Sequence, residues 1–137
     1  MPGRRLFFAQ AALLASIAVV HIIALQFYLY WHFPLLNRIV HFAGGLWTAL
    51  LLVWLLRFRR HEPRLFKIVL GAFLIGVAWE IFEVAIGMTR DSDNYALDTT
   101  LDLLMDTLGG FGGFFVARWL RERDTIISHE AAENHSS

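Results

Sequence analysis

Hydrophobic positions along this chain fall into four long blocks, without the spacing of a single buried face. Leu6 to Tyr30, Ile39 to Leu56, Leu65 to Ile86 and Leu101 to Leu120 are apolar over most of their length, with short polar stretches between them. About 20 residues of helix cross the hydrocarbon of a bilayer, so the pattern predicts four transmembrane helices. The expected fold is all-α, a four-helix transmembrane bundle over residues 1–120. The polar tail that follows, 121–137, is expected to be disordered. The connections around WHFPLLNR and RFRRHEPR are short, and Pro34 and Pro63 are expected to lie in them, where a missing N–H costs nothing. The third, GMTRDSDNYALDTT, is longer, and its DSDN reads as a polar loop without the glycine and distant glutamate of a calcium site.

Composition strengthens the membrane reading. Of 137 residues 57% are hydrophobic and 18% charged, too few polar groups to clothe an ordinary soluble domain. The absence of cysteine excludes disulfides, thiolate catalysis and Cys-based metal sites. Arg4 and Arg5 followed by an apolar run have the look of a signal peptide. The run is too long, however, and no small-x-small site follows it closely, so it is expected to remain as the first helix.

Net charge is zero, but its distribution is polar across the membrane. In a four-span topology, Arg4, Arg5, the cluster from Arg57 to Lys67, and Arg118, Arg121 and Arg123 share one side, leaving Arg38 and Arg90 on the other. The positive-inside rule then makes both termini cytoplasmic. Seven of the twelve acidic residues, Glu80 to Asp106, gather at the opposite, outer face.

Two carboxylates in GVAWEIFEVAIG, Glu80 and Glu83, need an explanation, because an ionised acid at a helix centre costs about 2.5 to 3.5 kcal/mol. Helical spacing puts Ala72, Gly76, Glu80, Glu83 and Gly87 on one face; Asp98, Asp102, Asp106, Gly109 or Gly110, Gly113 and Ala117 do the same on the last span. Measured inward from Ile86 and Leu101, Glu83 is expected level with Asp102, and Glu80 with Asp106. Small residues toward the cytoplasm, Gly109-x-x-x-Gly113 among them, predict close approach of the inner halves. Asn37, His41, Gly44 or Gly45, and Thr48 form a third stripe, with His21 a weaker addition. One imidazole and up to five carboxylates are thus expected around one pocket open to the outside.

Simpler roles compete for the same residues. Thr99-x-x-Asp102 fits a capping box, and Asp98 fits a cap or a solvated loop position. Glu83 can extend to the interface, Glu80 can be a protonated acid, and His41 a packed, hydrogen-bonded histidine.

RIVHFAGGLWTALLL, GVAWEIFEVAIG and LDTTLDLLMDTLGGFGGFF, in that order, resemble the small bacterial inner-membrane proteins of the VanZ-like and YjdF-like type over about residues 38 to 115. The resemblance implies a multi-pass protein of the bacterial inner membrane in which His41, Glu80, Glu83, Asp102 and Asp106 form a shared polar core. It implies little about activity, one VanZ branch being linked to teicoplanin resistance. Glu83 and Asp106 stand where the VanZ pattern tends to Gln and Asn, which brings the chain nearer the YjdF-like pattern.

The functional expectation is an acidic, metal-binding pocket near the outer face, acting on or recognising a lipid-linked or envelope substrate. His41, Glu80, Asp98, Asp102 and Asp106 are the expected ligands and Glu83 the expected base. Oxygen-rich ligands suit Mg²⁺, Mn²⁺ or Ca²⁺, and the single histidine admits Zn²⁺. Membrane lipids are the expected surroundings, and no nucleic-acid partner is expected. One alternative is a proton or cation transporter with a carboxylate relay, which for so few spans implies a homo-oligomer. The other is a non-catalytic accessory subunit.

Overall fold

The computed structural model describes residues 4–58, 61–87 and 94–134, with side chains described except at 57, 58 and 127–134. Arg59, Arg60, Arg90 and the Asp91 and Asp93 of the polar loop lie outside the described residues. Among those described, the chain forms five helices and no strand: α1 (Arg4–Gln26), α2 (Leu29–His32), α3 (Pro34–Phe58), α4 (Leu65–Ala85) and α5 (Tyr95–Asn134). Three of them, α1, α3 and α4, are long and apolar enough to cross a membrane. In α5, acids and glycines interrupt the apolar run, yet it packs along α3 and α4 as an equal partner.

Burial is inverted relative to a water-soluble domain. Gln10, His41, Thr48, Glu80, Asp102 and Asp106 are buried, while Ile22, Phe66 and Ile81 are each more than 60% exposed. Such a rim is costly in water and neutral in hydrocarbon, so the fold is built for a bilayer.

The closest packing joins α3 to α5, and glycines permit it. A Cβ on Gly109 would land on the Phe42 carbonyl, one on Gly45 on the Asp106 carbonyl, and one on Gly113 would lie 2.6 Å from the Leu46 carbonyl. Only backbones without side chains come this near, which is how membrane helices gain dispersion contact where no hydrophobic effect drives them together. The Gly109-x-x-x-Gly113 motif therefore faces α3, while Gly110 faces α4, 2.5 Å short of Ala72 Cβ by the same measure. Toward the arginine-bearing end the core is dry: Leu6, Leu50, Val53, Ile68, Phe114 and Ala117.

Helix boundaries differ from the sequence expectation in four places. The first span ends at Gln26, not Tyr30, because Tyr28 takes a left-handed conformation (φ 54°) that turns the chain into the one-turn α2. Pro34 opens α3 instead of sitting in a loop; at the first helical position its missing N–H is harmless. Finally α5 begins at Tyr95, six residues before Leu101, so Thr99 and Asp102 lie inside the helix and form no capping box. Its other end passes Arg121, where a disordered tail was expected, and continues to Asn134. Good helix formers, an Arg118–Glu122 pair one turn apart at 3.0 Å and an Arg5–Asp124 pair at 3.5 Å support that extension.

The early start of α5 changes the register of the acids. Contacts pair Gly76 with Asp106 and Ala72 with Gly110, and at that register Glu80 is level with Asp102 and Glu83 lies beside the turn of Asp98. A Cβ on Gly76 would strike the Asp106 carboxylate, so glycine there makes the room that Asp106 occupies.

Candidate functional site

His41 sits in the second turn of α3, 5% exposed, where α4 and α5 converge on it. Its two ring nitrogens have different neighbours. Nδ1 lies 3.1 Å from Asp106 Oδ2. An ionised carboxylate only accepts, so with Asp106 ionised Nδ1 is the donor in this bond, and a neutral imidazole then turns its other nitrogen, Nε2, to the far side as an acceptor. There Nε2 meets Glu80 Oε1 at 3.8 Å and Asp102 Oδ2 at 3.9 Å. Both gaps are too long for hydrogen bonds.

The carboxylates are held on their outer sides. Asn37, one turn before His41 on α3, donates to Asp102 Oδ2 at 2.8 Å, and Thr99, one turn before Asp102's neighbour on α5, donates its hydroxyl to Glu80 Oε2 at 3.0 Å. Glu80 Oε1 and Asp102 Oδ1 remain buried without a hydrogen-bond partner. Donor atoms of His41, Glu80 and Asp102 all lie within 4.8 Å of one another. Two atoms bound to one ion at about 2.0–2.5 Å stand roughly 3 to 4 Å apart at ordinary coordination angles, so the His41 separations fit a shared cation. Two acids, one imidazole oriented by a third acid and two orphaned oxygens make a donor set suited to a divalent ion.

Asp106 touches the other nitrogen of His41 and stands outside that group of three. Asp98 and Glu83 are one level further out. They line a pocket of about 50 Å³ with Asn37, Tyr95, Thr99 and the inner acids Glu80 and Asp102. Glu83 is fixed by the Trp79 indole, which donates to its Oε1 at 2.9 Å. His21 belongs to this rim, with its Nδ1 2.8 Å from Tyr30 Oη and its ring edge-on to Trp79. Burial, and then the nearby Glu83 charge, push the Tyr30 phenol up to about 12.

Sequence reasoning gave Trp79 no role and named Tyr30 as the end of the first apolar block. Trp79 was within reach, being four residues before Glu83 on a helix, the spacing at which side chains meet. Tyr30 was not, since its approach to His21 depends on the left-handed turn at Tyr28, which a non-glycine residue rarely adopts.

The chain belongs to the family described as "Predicted membrane protein (DUF2238)", whose model matches residues 6–123. That span takes in all the described helices except the last turns of α5. No curated protein and no solved structure matches the chain.

Proposed function

We propose that the protein is a four-helix bundle of the bacterial inner membrane with both ends cytoplasmic, in which His41, Glu80 and Asp102 bind a divalent metal ion near the outer face. The ion serves to recognise or act on a lipid-linked or envelope substrate. One observation carries this reading: His41 Nε2 faces buried Glu80 and Asp102 oxygens across gaps of 3.8 and 3.9 Å, too long for hydrogen bonds and suited to one shared ion.

Without a cation, three carboxylates in a desolvated site repel one another, and each is costly on its own. A bound ion offsets that cost. In this arrangement Asp106 orients His41 by accepting from Nδ1, and Glu83, tethered by Trp79 at the mouth, is placed to exchange protons with water from outside. A divalent ion there would supply Lewis-acid stabilisation of an anionic headgroup. Oxygen-rich coordination favours Mg²⁺, Mn²⁺ or Ca²⁺, and His41 keeps Zn²⁺ in the set. The VanZ-like and YjdF-like resemblance is compatible with this polar core. A relay through the membrane finds no support beneath the cluster, where Leu50, Val53, Ile68 and Phe114 form an apolar core.

The test is metal content and thermal stability of the detergent-purified protein with Mg²⁺, Mn²⁺, Ca²⁺ or Zn²⁺, for the parent, Glu80→Gln/Asp102→Asn, and Glu83→Gln. Binding predicts stoichiometric metal and a stabilisation of about 2.7 kcal/mol at a hundredfold excess over Kd, lost in the double variant and kept in Glu83→Gln. A parent that holds no metal and responds to no divalent ion, beside a double variant of equal or greater stability, overturns it.

A further inference from the structure

A second opening reaches the same histidine from the side. A crevice of about 280 Å³ runs between α1 and α4, with α3 as its floor; Leu14, Ile17, Ala18, Trp47 and Ile75 are among its walls, and its polar floor is His41, Thr48 and Asp106. It exists because the α1 backbone packs on α3 and α5 and stands off α4, which α1 meets through the His21 ring edge-on to Trp79. The small outer pocket and this crevice share His21, and members of the cluster divide between them: Glu80 and Asp102 line the pocket, His41 and Asp106 the crevice.

The order of these chambers along the helices has a chemical meaning. On α1 the polar pocket is bordered by Leu25 and the crevice reaches Leu14. At about 1.5 Å per residue the two together span roughly 16 Å, close to half of a hydrocarbon core about 30 Å thick, and the crevice alone, from His21 to Leu14, roughly 10 Å. A polar chamber that meets, at His21, an apolar slot walled by exposed α1 and α4 residues matches a molecule with a charged head and an alkyl chain. It matches neither a free ion nor a soluble envelope sugar, because neither would have use for the slot.

We infer that the ligand is an outer-leaflet lipid that enters sideways between α1 and α4, lodging one alkyl chain against Ile17, Ala18 and Ile75 while its anionic head meets the His41 cluster. The head part rests on the metal reading above, since an acidic cluster without a cation repels an anion. The chain part does not. Trp79, which lines the crevice and holds Glu83 at the pocket's mouth, joins the two chambers.

Two photoreactive probes separate these parts: a twelve-carbon alkyl phosphate and the corresponding neutral alcohol, each with a mid-chain diazirine, presented to the protein in phosphatidylcholine nanodiscs. Adducts are mapped by peptide mass spectrometry in the parent, in Ala18→Trp, and in Glu80→Gln/Asp102→Asn. Ala18 is exposed and lines the crevice but not the outer pocket that Glu80 and Asp102 line, so tryptophan there fills the slot while leaving those two acids in place. The expected result is that both probes label residues 14–18 and 75–79, and that Ala18→Trp lowers this about tenfold, the effect of denying burial to about two methylene groups. Labelling of the outward Ile22 and Ile81 serves as the unchanged control, and the phosphate alone responds to divalent ions and to the acid variant. Even labelling of the whole apolar rim by the alcohol, insensitive to Ala18→Trp, overturns the chain site whatever the metal result. Slot labelling by the alcohol but not by the phosphate upholds the chain site and overturns the anionic head together with the metal reading.

Discussion

The α3–α5 seam and the α4–α5 seam solve opposite problems with the same tool. Along α3, Gly45, Gly109 and Gly113 mark places where side chains are removed so that backbones touch. Along α4, Gly76 removes one so that the Asp106 carboxylate fits beside His41. In the first seam a missing Cβ creates contact, and in the second it creates space. The first should therefore govern whether the helices assemble, and the second whether the cluster forms.

The sharpest way to break this contrast is Gly109→Val. Its side chain collides with the Phe42 carbonyl, a rigid backbone atom, and should cost about 3 kcal/mol in the overpacking range. Gly112→Ala, whose Cβ would sit 3.9 Å from the Phe42 ring, should be nearly silent, and a reversible unfolding titration in mixed micelles compares the two. Equal effects of both would mean that the glycines of α5 act through helix propensity and not through contact.

A smaller effect is expected at the acidic end, outside the spans. Folding raises the Tyr30 phenol from its ordinary value near 10 to about 12. The folded state thus holds this proton more tightly than the unfolded one. Its contribution is complete below pH 10 and is lost as pH rises from 10 to about 12. Stability of the parent should fall across that window more steeply than that of Tyr30→Phe, while at pH 7 the variant should be the weaker of the two for want of the His21 bond. Parallel pH curves would remove Tyr30 from the ties that hold α1.

Smallest of all is Thr99→Val, which deletes the hydroxyl bond to Glu80 with little change of shape. Interhelical hydrogen bonds in membranes average about 0.6 kcal/mol, so stability should drop by that order, measured by the same unfolding titration. A loss several times larger would mean that Glu80 is ionised and leans on Thr99 as its main support.

Much of this was legible in the sequence. Long apolar blocks are hard to satisfy except by membrane helices, and α1, α3 and α4 followed from them. Residues brought together at the histidine, His41, Glu80 and Asp102, stand on small-residue faces whose periodicity is visible by eye. Their vertical pairing was less legible. It depended on where α5 starts, and YALDTT carries no strong start signal: the helix begins while the chain is still polar, so Leu101 looked like the boundary. The register shifted by about one turn as a result, giving Asp102 the level of Glu80 instead of Glu83 and Asp106 that of Gly76 instead of Glu80. The crevice between α1 and α4 left no trace in the sequence at all, because an unfilled space is a property of helix placement and α1 is apolar on every side.

The tie between Arg5 and Asp124 joins the first helix to the last. A ribosome delivers α1 to the bilayer well before α5, and α5 also brings Asp102, Asp106 and the glycines that seat them. Until it inserts, His41 has no carboxylate beside Nδ1 and Glu80 has no hydroxyl to accept from. The cluster is thus a late product of biogenesis, assembled only when the last helix takes its place.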